Sequence, residues 1–571
     1  MAMNEELRKA IVKHALVNAF KHDGKADAGA VLAKILGEHQ ELKQKAKELV
    51  PEVRAIVQEL NKLSPRSQRQ KLEADFPEAY AELFEKKEEV KQFPPLEGAE
   101  LGKVVTRFPP EPNGFPHIGH AKAVFISYEY AKMYKGKLIL RFDDTNPAVE
   151  KLEYYDAIRE GLDWLGVKPD IVKNTSDDME RIYKRAKKFI EDGDLYVCLC
   201  NAETVKENRA SAKECEHRNI GTEKSLISWE KMFNEYDAGA AIVRFKGYMA
   251  ALNTVMRDPT MFRIVEETHP LKGTKYRVWP TYDFVAPVED SSDGVTHAFR
   301  AKEYELRDEL YYKIIDAGKL RKPRLVEFSR LSFRGTPVSK RKIRPLVEQN
   351  LVDGWSDPRL PTLIALRRRG ILPEAIREFV MSLGVSKSES APTWDLLEAL
   401  NRKLIDPIAK RYFFVPDPVP LEVPDAPAFD LKLKLHPDKG LGEKAVKTAN
   451  QFFIAASDAN TLRVGDVFRL MELFNVKIIK KDSKLVGKFA GTEIIQSSKK
   501  IQWVTKDSLP FAVKVPGILY IDDVYNEKSM QIVNGLAEKS CKDLKIGEII
   551  QFTRFGFCRI DEPQVAILAH K

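Results

Sequence analysis

Residues 116–120 read Pro-His-Ile-Gly-His, and the spacing of the two imidazoles is the first feature with chemical content. On a helix, side chains three apart project from one face, so His117 and His120 would stand together. Gly119 between them leaves room for a ligand to approach the backbone. The first turn of a helix offers free N–H groups and a partial positive charge, which suit an anion. Two imidazoles beside it could donate hydrogen bonds to the oxygens of a triphosphate. A second element, Pro337-Val338-Ser339-Lys340-Arg341-Lys342, is basic and loop-like. An ATP site needs a cation that follows the β- and γ-phosphates as pyrophosphate leaves, and a flexible lysine supplies charge at that transition state. Taken alone, the histidine pair reads as capping or packing and the basic run as a solvated loop.

Two further groups carry chemistry. Asp143 and Asp144 close the apolar run KLILRF. Ligands gather at the carboxyl ends of strands in open α/β sheets, so an acid there can meet an ammonium group, whereas an acid capping the next loop is the plainer role. Three of the five cysteines fall within 18 residues, as Cys198-Leu199-Cys200, 14 residues, then Cys215-Glu216-His217. Cys198, Cys200, Cys215 and His217 can close a tetrahedron around Zn²⁺, with no position left for water and therefore a structural role. Buried unligated cysteines beside a surface histidine are the alternative.

These residues need elements to hold them. KVVTRF is a short β-branched strand, PPEPNGFP a loop, residues 117–134 a helix and KLILRF a second strand, which together open a doubly wound α/β domain. Residues 1–95 are rich in Glu, Lys, Ala and Leu and predict helices, interrupted near Ser64-Pro65. They read as a solvated helical extension or a docking platform for RNA or protein. The catalytic-type domain is predicted over 96–194 and 276–345, split by an insertion at 195–275 that carries the cysteines. Residues 346–410 are predicted helical, and 411–571, with a Pro-rich opening and short alternating runs, predict one or two β-barrels.

A chain of 571 residues exceeds one compact core, and its apolar and charged fractions of 43% and 31% describe a globular protein. No run approaches a membrane span, and the charged start lacks a secretory core, so the expected location is cytoplasmic. Five cysteines exclude a disulfide framework. A net charge of +9 is compatible with a polyanionic partner without requiring one.

The two basic and histidine elements resemble the HIGH and KMSKS signatures of class I aminoacyl-tRNA synthetases. TRFPPEPNGFPHIGHAKA, LRFDDTNP, YRVWPTYDF, GVTHAFR, EFSRLSFRGTPVSKRK and DPRLPTLIALRRRG, in that order, resemble the glutamyl/glutaminyl subfamily over residues 100–410, with a looser likeness in the tail. The resemblance implies a Rossmann-like catalytic domain with an inserted acceptor-binding domain, helical stem-contact region and anticodon-binding barrels. It implies ATP with Mg²⁺ as cosubstrate, tRNA as partner, and adenylate formation followed by transfer to a ribose hydroxyl. Carried over by motif, Glu111, Asn113, His117, Gly119 and His120 line the ATP site; Arg330 and Leu331 border the adenosine. Val338 stands where the family usually has methionine, ahead of Ser339 and the pyrophosphate-stabilising Lys340. Asp143 and Tyr282 take the amino group of the amino acid, and Arg107 contacts it in both branches.

Discrimination between glutamate and glutamine turns on one charge. A glutamate pocket needs a cation, and arginine's planar fork binds a carboxylate in two places at once. Arg300 ends GVTHAFR where the glutaminyl branch has a small thiol residue, which favours L-glutamate; pairing with Glu303 or Glu305 is the alternative for it. The barrel-type tail resembles archaeal and eukaryotic glutamyl enzymes rather than bacterial ones. That likeness implies tRNA(Glu) as substrate, and in some relatives tRNA(Gln) too, corrected by an amidotransferase; some also carry a CxC…CxH zinc site. A glutaminyl enzyme, a small nucleotidylyltransferase, a tRNA-modifying glutamyl transferase and a non-catalytic tRNA-binding scaffold are the competing readings. The run Arg367–Arg369 is a phosphate-contact expectation, set against a solvated helix end.

Overall fold

The computed structural model describes residues 5–21, 24–38, 46–84, 93–333, 335–387, 392–482 and 484–571. The chain divides into two compact units, residues 1–92 and 93–571. The first is helical: Glu5–Lys21, Ala28–Glu38, Ala46–Leu60, Pro65–Asp75 and Pro77–Phe84. Its helices close on Ile11, Leu16, Val31, Ile35, Val53 and Leu72. Ser64 caps the fourth helix by accepting the Ser67 N–H at 3.1 Å, with Pro65 in the first turn where its missing donor costs nothing. That cap is the interruption expected at Ser64-Pro65. The expected boundary at 95 moves to 92, because Phe93 stacks on Tyr130 at 4.9 Å and Tyr130 Oη donates to the Pro94 carbonyl.

The second unit opens on a parallel sheet. Strands Val105–Phe108, Lys137–Phe142 and Ile171–Asn174 pair in that order, and His297–Ala301 pairs with Arg324–Phe328. The Thr296 N–H donates to the Val105 carbonyl at 2.9 Å, which sets the His297 strand beside the first. The three-stranded and two-stranded parallel sheets thus lie edge to edge in a doubly wound order, with its reversal between the first strand and His297–Ala301, the place where such folds bind ligands. KLILRF is apolar without alternation because both faces are covered. Helix Ile118–Met133 buries Ile118, Ala121, Val124 and Phe125 against Leu138, Leu140, Phe142 and Tyr155, each large side chain contributing about 2 kcal/mol. A side chain at Gly136 would lie 2.0 Å from the Val104 carbonyl oxygen, so only glycine lets the helix turn directly into the second strand.

The insertion is a four-stranded antiparallel sheet, Leu195–Cys198, Ile242–Phe245, Thr260–Ile264 and Val278–Pro280. Its last strand extends beyond the expected end at 275, since Val278–Pro280 pairs with Thr260–Ile264 before the chain re-enters the parallel sheet. Helices Leu363–Arg369, Pro373–Leu383 and Trp394–Ile405 follow. Two seven-stranded, barrel-like sheets complete the chain. One takes strands from 410–416 and 509–570, the other from 418–505, so the second is inserted into the first. Among the described residues no helix is long and apolar enough to cross a membrane.

Candidate active site and metal centre

The histidine pair lies where the first strand hands over to the helix. His117 is the N-cap of Ile118–Met133 with extended backbone. Its Nδ1 accepts the Gly119 N–H at 3.1 Å, and the His117 N–H donates to His120 Nδ1 at 3.1 Å, a capping box built from two imidazoles. Burial, with the cations Lys340 and Arg330, pulls His117 down to about 3. Burial, His117 and Lys340 hold His120 well below the usual histidine range. Both rings are therefore neutral at physiological pH. With Nδ1 accepting, each proton resides on Nε2, which leaves two N–H donors for phosphate oxygens. The capping role and the phosphate role are served by opposite nitrogens of the same rings. A side chain at Gly119 would meet His117 Cε1 at 2.8 Å, so glycine is what allows the ring to fold over the helix start.

The loop is clamped on both sides. The Ile118 N–H donates to Pro361 O at 2.9 Å and the Leu363 N–H to Pro116 O at 2.9 Å. Thr362 sits opposite His117, caps its own helix by accepting the Ala365 N–H, and donates its hydroxyl to Trp355 O at 2.6 Å. From the other direction, Val338 joins the core with Leu331 and Phe333, and Ser339 starts helix Lys340–Glu348. Lys340 Nζ donates to Glu111 O at 3.1 Å and to Asn113 Oδ1, and its stem crosses Gly114, where a side chain would come within 3.2 Å of Cδ. Burial, with Arg344 adding to it, lowers Lys340 to about 8 against the pull of Glu111. Glu111, Asn113, His117, Gly119, His120, Val338, Ser339 and Lys340 thus converge at one place. Arg330, at the edge, is exposed and pairs with Glu303 at 3.2 Å.

Across the switch point lie the four residues expected around an amino acid. Asp143 accepts from Arg141 Nε and from Thr175 Oγ1, each at 3.1 Å; burial pushes its carboxyl up and Arg141 opposes that. Asp144 has the capping role: it accepts the Ser176 N–H at 2.8 Å and the Ser176 and Tyr155 hydroxyls, away from the crevice. Tyr282 feels Arg107, Arg300 and Asp143 together, burial holding its hydroxyl protonated. Arg107 is less free than the sequence suggested. Its Nε donates to Asp290 at 3.1 Å and its Nη1 to the Phe299 carbonyl, so two of its three nitrogens are committed within the protein. Arg300 pairs with neither Glu303 nor Glu305 but with Asp308, and its Nε has no hydrogen-bond acceptor among the described residues.

Asp290 and Arg141 are the functional residues that motif reading missed. The fully buried Asp290 carboxylate receives Arg107, Arg141 at 3.0 Å and Tyr311 Oη at 3.0 Å. Asp290 on helix Tyr282–Ser292 and Asp293 just past its end, facing two arginines on neighbouring strands, were a signal only once the strand order was known. The Arg367–Arg369 expectation needs correction. Arg368 is bidentate to Asp561, and Arg369 pairs with Glu398 and donates to Ala569 O, so two of the three join the helices to the terminal strands. Arg367 alone of the three is exposed.

In the insertion, Cys198 Sγ and Cys215 Sγ are 3.7 Å apart, Cys200 Sγ and His217 Nδ1 3.5 Å, and all four ligand atoms lie within 4.8 Å of one another. A disulfide would require about 2.05 Å. A tetrahedron with Zn–S near 2.3 Å has an edge of about 3.8 Å, so the donor set fits that ion. Arg244 places Nη1 3.8 Å from Cys215 Sγ and 4.0 Å from Cys198 Sγ, a cation beside two prospective thiolates.

Comparison with known proteins agrees with this architecture. Residues 103–407 match the family model described as tRNA synthetases class I (E and Q), catalytic domain. Residues 409–492 and 500–561 match two models of the anticodon-binding domain of the same group. The chain belongs to the class I tRNA synthetases of the E and Q group. Among its relatives, the glutamate–tRNA ligase of Nitrosopumilus maritimus is 47% identical over 570 residues, covering all of both chains. That of Cenarchaeum symbiosum is 45% identical over 98% of each, and that of Pyrococcus furiosus 44% identical over 99% of this chain and 100% of its own.

Proposed function

We propose that the chain is a glutamate–tRNA ligase that joins L-glutamate to the 3′ end of tRNA(Glu) at the expense of ATP. The observation that carries the choice of glutamate is Arg300: a guanidinium 5% exposed, whose Nε has no acceptor among the described residues, at the switch point beside Tyr282. A buried cation with an unmet donor rejects a neutral amide and rewards a carboxylate. Replacing it by methionine should raise KM for glutamate at least about 100-fold with KM for ATP unchanged. An unchanged KM for glutamate would remove Arg300 from the pocket.

The reaction has two steps. The glutamate α-carboxylate attacks the ATP α-phosphorus in line; a P–O bond forms and pyrophosphate leaves. The 2′-hydroxyl of the terminal tRNA adenosine then attacks the adenylate carbonyl and expels AMP. Asp143 and Tyr282 hold the ammonium group, Arg107 offers its remaining Nη2, and Arg300 takes the side-chain carboxylate. His117 and His120 donate Nε2–H to the phosphates, and Arg330 and Leu331 border the adenosine. Lys340, now on Glu111 O and Asn113 Oδ1, turns to the β- and γ-oxygens as negative charge moves onto pyrophosphate. No protein nucleophile is required; positioning and charge stabilisation suffice. Mg²⁺ bound with ATP would neutralise part of the phosphate charge.

Cys198, Cys200, Cys215 and His217 hold a structural Zn²⁺ that ties the start of the insertion together. The protein as purified should contain about one zinc per chain. Cys215→Ser should lose the metal, and a zinc-free wild-type preparation with unchanged melting would contradict the assignment. The same pocket acting on tRNA(Gln), with an amidotransferase downstream, and a protein-docking role for the N-terminal helices are further proposals of the subfamily likeness.

A further inference from the structure

Resting on the glutamate reading of Arg300, we infer that Asp308 is that arginine's counter-ion in the substrate-free protein and yields its place to the substrate's side-chain carboxylate. The Arg300 side chain is 4% exposed and Asp308 31%, and the pair joins Nη2 to Oδ1. Beside that pair, Arg300 Nε has no acceptor among the described residues. The pair therefore uses one of the two donors on that side of the guanidinium and leaves the other unmet. Nε and Nη2 are neighbours on one edge of the guanidinium fork, the edge a carboxylate takes with two parallel bonds. Asp308 occupies the Nη2 end of that edge and leaves the Nε end open.

The surroundings fix which partner moves. Arg300 lies over the Tyr311 ring, 5.4 Å from its centroid, and the Tyr311 hydroxyl is tied to Asp290 at 3.0 Å, so the arginine is held from behind. Other acids near it are engaged elsewhere: Asp283 with Arg307, Glu303 with Arg330, Glu305 and Glu327 with Lys387. Asp308 is the first residue of helix Asp308–Ala317, whose free N–H groups favour a carboxylate wherever its side chain turns. It also lines a cavity of about 430 Å³ shared with Lys387, Arg324 and His297. A released Asp308 carboxylate thus finds water, cations and a helix terminus, and no unpaired charge is buried. In its resting place it spares the empty site an uncompensated arginine; the cost is competition with glutamate.

The test is tRNA charging by full-length Asp308→Asn and Asp308→Ser proteins, with KM determined separately for glutamate and ATP. Loss of the competitor should lower KM for glutamate about three- to tenfold, the range of a partly exposed ion pair, with KM for ATP and kcat nearly unchanged. The glutamate-free variants should melt lower than wild type and show a larger upward shift on adding glutamate. An unchanged or raised KM for glutamate overturns the inference. If neither variant folds, a crystal structure of the wild-type protein with glutamate decides: Asp308 turned into the cavity upholds it, Asp308 still against Arg300 overturns it. Arg300→Met, run alongside, separates the two readings, because an unchanged KM there refutes the glutamate pocket itself.

Discussion

Each signature side chain uses one end for the fold and the other for the ligand. His117 and His120 spend Nδ1 on the helix start and keep Nε2–H for phosphate. Because burial holds His117 at about 3, no acid limb from this ring should appear between pH 5 and 7 in kcat/KM for ATP. Lys340 behaves oppositely: its conjugate acid is destabilised by burial, to about 8 in the free protein, so raising the pH through that value discharges it. For ATP, kcat/KM should fall above about pH 8, and Lys340→Arg, which cannot deprotonate, should lack that limb while remaining slower. A flat profile in the wild type would mean that the lysine charge does not count. The same depressed value adds to stability only as pH rises from about 8 toward the unfolded lysine range, where the unfolded chain binds the extra proton. His117→Ala should lower kcat about 100- to 1,000-fold, as loss of one preorganised donor does. At this scale the motif residues were legible because phosphate chemistry demands their types. Asp290 and Asp308 were not, since an acid becomes a counter-ion only when the fold brings an arginine to it.

At the level of elements, the site is a clamp. The segment Pro116–Ile118 is bridged to Pro361–Leu363, and Thr362 caps the helix that carries the bridge. Thr362→Ala removes the cap and the bond to Trp355 O, which should cost about 1–2 kcal/mol and lower the melting midpoint by several degrees. A midpoint unchanged within error would show that the backbone bridge alone holds the clamp. Periodicity and turn chemistry gave the strand–loop–helix–strand unit and the break near Ser64-Pro65 directly. They misplaced the end of the insertion, because VWP reads as a strand in any sheet and only its pairing with Thr260–Ile264 assigns it. They also offered Arg368 and Arg369 only as a phosphate contact or a solvated helix end, when Asp561 and Glu398, distant in sequence, are their partners.

Over the whole molecule, helix Leu363–Arg369 is joined to the barrel-like sheet that ends the chain, through the Arg368–Asp561 ion pair and the bond from Arg369 to the Ala569 carbonyl. A net charge of +9 and a polyanionic partner predict that tRNA affinity drops at least about tenfold between 50 and 200 mM salt. Salt-independent binding would argue against a phosphate-tracking surface. The central claim is the choice of amino acid. Its most direct test is charging of tRNA(Glu) by the purified chain, offered labelled glutamate and labelled glutamine in separate reactions. Glutamate attached to the tRNA, glutamine not, and the product lost in Lys340→Ala is the predicted result; glutamine as the preferred substrate, or charging with neither, would contradict it.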